Sequence, residues 1–175
     1  WKVIWTNNIS RAAGKLRKSQ KFSDAIQAYR EVLKKDPFNG DAHQQIGWCQ
    51  FRQGNYSSAL RNVQKAVQLK PKDESNYNLL AAIYSTEDND ELAIENYKKA
   101  IEMSNTDKEK TYILSNLSIP YRDLLKYNDA KSVLNQALQI DSTYTHAWWQ
   151  KGKVYTKENK TDSAIICFQK AVILN

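Results

Sequence analysis

Small and apolar residues recur along this chain with the spacing of one helix face. From Ala25, Tyr29 follows four residues on, and Val32 and Leu33 follow seven and eight on. The same set restarts at Ala59, Ala93, Ala130 and Ala164, at intervals of 34, 34, 37 and 34 residues. Large side chains follow four places later at Val63, Tyr97, Leu134 and Phe168. Twelve residues before each alanine stands a small residue: Ala13, Gly47, Ala81, Ser118 and Gly152. Nine before it, Tyr84, Tyr121 and Tyr155 recur. Spacings of four, seven and eight residues predict one helix face in each period, with small and large apolar residues set side by side.

The pattern resembles the tetratricopeptide repeat family, whose 34-residue unit reads W-x2-L-G-x2-Y, then A-x3-F, then P. Trp148, Gly152, Tyr155, Ala164 and Phe168 match it, as do Gly47, Ala59 and Pro71, and Pro37 closes the first unit. His43 and Lys151 depart from it at the Trp and Leu places, and Asn105 and Ser142 replace Pro. The units are placed at 6–39, 40–73, 74–107, 111–144 and 145–175, with residues 1–5 as an N-terminal helix extension. The resemblance implies an all-α fold: a right-handed superhelical solenoid of five helix-turn-helix repeats, each a helix A and a helix B, whose A helices line a concave face. It covers nearly the whole chain, read as a single domain within a longer protein.

Two local signals refine the fourth unit. Thr106 to Glu109, "TDKE", has the form of a capping box, so its helix A is predicted to start near Asp107. Pro120 then falls inside that helix, leaves the Asn116 carbonyl without its usual donor and predicts a kink.

Composition narrows the picture. Five Gly and three Pro in 175 residues leave little material for the turns of a many-stranded β protein. No apolar run approaches the roughly 20 residues of a membrane helix. Cys49 and Cys167 share no motif and lie three repeats apart, too far for a disulfide. Two His and two scattered Cys do not make a metal site, and no cofactor motif is present. No nucleophile–base spacing or phosphate loop suggests an enzyme. Asn-x-Ser/Thr sequons at Asn8, Asn55, Asn116 and Asn159 read as accidental in an Asn-rich chain. The compartment stays open.

The net charge is +7. The resemblance implies which helix A positions face the groove, and these carry most of that excess. The candidate binding residues among them are Arg11, Gln44, Gln45, Trp48, Phe51, Arg52, Asn78, Asn116, Arg122, Trp149, Gln150 and Lys153. Amides donate and accept at once, which suits a peptide backbone. Trp and Phe offer area for anchoring a side chain. The expected ligand is therefore a peptide segment, extended or helical, with acidic residues. An RNA bound by basic and stacking side chains is the alternative. It is less favoured, because the inward positions vary without a repeating code.

The family's two-carboxylate clamp, which holds a chaperone's C-terminal tail, is not expected. Asn116 matches that clamp, but Asn78, Ala82, His146 and Gln150 stand where it wants Lys, Asn, Lys and Arg.

The ends carry further expectations. Trp1 and Trp5 lie one helical turn apart and predict an early start to the first helix, capping the first layer. In the last helix, Ile166 and Ile173 stand where the earlier units have Gln27, Arg61, Glu95 and Ser132, and Lys34, Gln68, Glu102 and Gln139. This apolar face predicts a second interface, for a missing cap, a further repeat or self-association. Trp148 and Trp149 are adjacent and cannot share a helix face. Trp148 is expected to be buried between helices and Trp149 to look into the groove.

Overall fold

The computed structural model describes residues 2–174, with side chains from Trp5 onward. Among these residues there are ten α-helices and no strand. They run α1 Lys2–Lys18, α2 Phe22–Lys35, α3 Gly40–Arg52, α4 Tyr56–Leu69, α5 Glu74–Thr86, α6 Asp90–Met103, α7 Asp107–Asp123, α8 Tyr127–Ile140, α9 Thr145–Lys157 and α10 Thr161–Ile173. The chain packs as two compact units that divide inside α5, one ending at Ile83 and the other starting at Tyr84. In the N-terminal unit α1 packs on α2, α2 on α3 and α3 on α4. In the C-terminal unit each helix from α6 to α10 packs on its successor, and α7 also touches α9.

The periodic residues are the core. Ala25, Ala59, Ala93 and Ala130 are fully buried, and Ala164 nearly so. Tyr29, Val63, Tyr97 and Leu134, four places on, are buried beside them. The small residues sit where a larger one would collide. A Cβ on Gly47 would stand 2.5 Å from Val63 Cγ2, and one on Gly152 would stand 2.5 Å from the Phe168 ring.

One regularity lies in the backbone alone. Gln20, Gly54, Asp88, Leu125 and Asn159 all have φ between 57° and 78°, and each lies five residues before a periodic alanine. Each ends a helix A in the left-handed cap that lets the chain turn back. The next residue's N–H then reaches the carbonyl five back: Lys21 to Leu16, Asn55 to Gln50, Asn89 to Tyr84, Lys126 to Tyr121 and Lys160 to Tyr155, at 2.8–3.0 Å. Only the second repeat uses Gly there. Leu125 is the costly case, because a bulky L-residue in this region is strained by about 1–2 kcal/mol. Its side chain is exposed and contributes little packing in return. Leu125→Gly should therefore stabilise the chain by about 0.5–1 kcal/mol, after the flexibility Gly adds to the unfolded state. The urea midpoint checks it, and an unchanged or lower midpoint would show that the turn is unstrained.

Helix α7 starts at Asp107 as the capping box requires. Thr106 Oγ1 accepts from the Glu109 N–H at 3.2 Å, and Glu109 Oε2 accepts from the Thr106 N–H at 3.0 Å. The helix then runs unbroken through the buried Pro120 to Asp123. Its buried hydroxyls are satisfied along their own helix. Thr111 donates to the Asp107 carbonyl, Ser115 to Thr111 and Ser118 to Ser115, at 2.6–2.9 Å.

At the front, α1 begins at Lys2 and Trp5 is 39 % exposed; Trp1 lies outside the described residues. Cys49 and Cys167 are both free and both buried. Burial pushes the Cys49 thiol up to about 11 against the charge of Arg17, and raises Cys167 against Lys151 and Lys170. No described helix is long and apolar enough to cross a membrane. No cluster of three His, Cys, Asp or Glu able to hold a metal occurs among the described residues.

Candidate functional site

The expected groove residues fall into two sets, one in each unit. In the N-terminal unit the chain itself uses most of them. The Trp48 ring, half-buried on α3, lies under the Arg17 guanidinium at 4.7 Å and the Arg52 guanidinium at 5.2 Å. The Phe22 ring meets Trp48 edge-on at 5.7 Å. Phe51 pairs with Tyr56 at 5.7 Å. Gln45 Nε2 donates to Gln44 Oε1, Gln44 Nε2 to Ser75 Oγ and Ser75 Oγ to Asp73 Oδ1, forming a continuous polar chain. Asn78, on α5, differs: its Oδ1 is buried and accepts no hydrogen bond. Arg11 is exposed on α1. Arg17, itself at a helix A position that the repeat phase turns inward, and Phe22 complete the Trp48 cluster. Phe22 opens a helix B, so the spacing of helix A positions gave no sign of it.

In the C-terminal unit four candidates converge. Helix α7 supplies Arg122, and α9 supplies Trp149, Gln150 and Lys153. With Thr156, Lys157 and Phe168, three of these line a pocket of about 430 Å3: Arg122, Trp149 and Lys153. Trp149 is 46 % exposed, and its ring lies 4.8 Å from that of Phe168, centroid to centroid. Phe168 holds the periodic core place, yet here it is half-buried and forms part of the pocket wall. A second hollow of about 410 Å3 is lined by Trp149, His146 and Val172. Asn116, also on α7, is half-buried and lines neither of these pockets.

The pocket is electropositive and braced from beneath. Arg122 Nε and Nη2 donate to the two carboxylate oxygens of Asp123, both at 2.9 Å. Arg122 Nη1 reaches Gln150 Oε1 at 3.4 Å. Gln150 is buried, and its Nε2 lies 3.2 Å from His146 Nε2. With Oε1 facing Arg122, the Gln150 amide nitrogen faces the His146 ring. Burial lowers the His146 pKa, and the Lys153 charge lowers it further. Lys153, Lys157 and Arg122 thus line the pocket with three cations, while Asp123 pairs with Arg122 and the buried Asp90 carboxyl feels both of those charges.

Trp148 corrects an expectation. It is half-buried rather than enclosed between helices. Its indole N–H donates to the Ser142 carbonyl at 2.9 Å, and Lys170 Nζ lies 4.3 Å from its ring centroid. An indole carries a polar N–H that needs a partner, and here a loop carbonyl at the surface supplies it. His43 is likewise only partly buried, with its ring nitrogens 3.2 Å from Asn62 Oδ1 and the Pro37 carbonyl.

Family models described as tetratricopeptide repeat match residues 16–83, and residues 75–107 and 145–175. The chain belongs to the tetratricopeptide repeat family. Its helices are helix pairs of that repeat, and its turns are the repeat's A–B turns. Over 167 residues it is 30 % identical to the probable UDP-N-acetylglucosamine–peptide N-acetylglucosaminyltransferase SPINDLY of Hordeum vulgare, covering 93 % of this chain. It is 28 % identical over 138 residues to the type IV pilus assembly protein PilF of Pseudomonas aeruginosa, covering 77 % of this chain. The chain spans only 18 % of the barley protein's length and 53 % of that PilF. Among solved structures, PilF superposes with a TM-score of 0.87 at 14 % identity, covering 99 % of this chain and 78 % of its own. A MamA crystal structure superposes at 0.76 and 25 % identity, covering 93 % of both chains. Tetratricopeptide repeats mediate protein–protein interactions, and this chain is such a repeat domain.

Proposed function

We propose that this repeat domain is a non-catalytic binding module that holds a peptide segment rich in acidic residues. The observation that carries this reading is the pocket at Trp149, where two aromatic rings meet three cationic side chains. An apolar side chain of the ligand covers the Trp149 indole, and an adjacent carboxylate accepts from Lys153 and Lys157, with the Arg122 charge beside them. Charge-assisted hydrogen bonds of this kind are about twice as strong as neutral ones. Aromatic and Arg side chains are the residues that most often dominate binding energy. The Trp48 cluster acts as framework, its ring being engaged by Arg17 and Arg52.

The test is an amide and indole NMR titration with a blocked peptide alternating Leu with Asp or Glu. A matched peptide with Lys at the acidic places and a single-stranded RNA serve as comparators. The Trp149 indole resonance and the amides around Lys153 should shift with the acidic peptide and not with the Lys peptide. Equal response to both peptides, or tighter response to RNA at physiological salt, would sink the proposal.

A further inference from the structure

We propose that α10 is a homotypic docking face that pairs two copies of this chain about a two-fold axis through Gln169. Ile165, Ile166, Val172 and Ile173 are all strongly exposed, from 48 % for Ile165 to 82 % for Ile173. Counted from Gln169 they lie at −4, −3, +3 and +4, the steps that return to one side of a helix. The stripe is therefore palindromic. A two-fold contact sets each surface element against its own copy, and a palindromic stripe is self-complementary under that operation. Laid antiparallel, Ile165 faces the other copy's Ile173, and Ile166 faces its Val172. Gln169 meets itself, and a carboxamide suits that place because it donates and accepts at once. Antiparallel pairing also sets the positive N-terminal end of each α10 beside the negative C-terminal end of the other.

The earlier helices argue against an ordinary following repeat as the occupant. In α2 and α6 the equivalents of Ile165, Ile26 and Ile94, are buried, and those of Val172, Leu33 and Ile101, are half-buried. Those helices pack on α3 and α7 respectively. The equivalents of Ile166 and Ile173 are Gln27 and Lys34 in α2, and Glu95 and Glu102 in α6; all are polar and exposed. A repeat helix docked in the usual way would leave Ile166 and Ile173 in water. A second α10 lying squarely across the stripe covers all four apolar side chains.

Sedimentation velocity of the protein over a concentration series tests this. The wild-type chain should show a concentration-dependent dimer. Gln169→Glu and Gln169→Lys should each raise the dimer dissociation constant at least about tenfold, because each sets like charges face to face. An equimolar mixture of the two variants should recover the dimer, now as a heterodimer. Gln169 is on the surface, so circular dichroism can confirm that both variants are folded. Three outcomes would overturn the proposal: a wild type that stays monomeric, a dimer indifferent to both charges, or a mixture that fails to recover it. Assembly beyond the dimer would also overturn it, since a two-fold contact closes on itself.

Discussion

Gly47→Ala lowers stability by up to about 2 kcal/mol, because an overpacking cost of about 1–3 kcal/mol exceeds what the better helix former returns. The new methyl would stand 2.5 Å from Val63 Cγ2 and 3.2 Å from the Ala59 carbonyl oxygen. Neither neighbour yields cheaply. Val63 is fully buried on α4, and a β-branched side chain in a helix has essentially one χ1 rotamer. The carbonyl is backbone, so α3 and α4 must separate to admit the methyl. Ala13 and Ala81 carry a Cβ at the same repeat position, so the cost belongs to this crossing and not to the repeat in general. Urea unfolding of Gly47→Ala, Val63→Ala and the double variant measures it. Removing the Val63 methyls relieves the clash, so the double variant should lose less than the sum of the singles. Strict additivity would show that the close approach carries no energy.

Trp149→Ala should weaken binding of the acidic peptide by about 30-fold, the roughly 2 kcal/mol of a binding hot spot. The unfolding midpoint should move less, because Trp149 is 46 % exposed and its ring packs on the half-buried Phe168. Trp148→Ala should do the reverse. It removes a half-buried ring, its bond to the Ser142 carbonyl and the seat of Lys170, at a cost of about 1–3 kcal/mol in stability. Affinity should stay near wild type. Calorimetric titration alongside thermal unfolding separates the two effects. Equal loss of affinity in both variants would move the binding surface away from the pocket.

Repetition made the fold legible. One alanine recurring five times set the phase, and the residues around it filled the core as the helical period requires. The capping box at Thr106 was legible because its two hydrogen bonds are local. The A–B turns were not, because Gln20, Asp88, Leu125 and Asn159 share no chemistry. Only their backbone angle unites them, and only Gly54 advertises it. The candidate site was half legible. Position along helix A pointed to Arg122, Trp149, Gln150 and Lys153, which do come together. The same rule pointed to Trp48 and Arg52 but could not show that Arg17 and Phe22 would take up the Trp48 ring. Phe168 was hidden for the opposite reason. Its repeat place marks it as core, and only its exposure beside Trp149 shows it in the pocket wall.

The two buried cysteines have a practical consequence. Cys49 lies in the N-terminal unit and Cys167 in the C-terminal one, each a free thiol whose burial disfavours the reactive thiolate. A thiol reagent meets either sulfur mainly when its surroundings open. The chain therefore holds two native clocks, one per unit. Their separate labelling rates convert to local opening free energies with no dye, tag or substitution introduced.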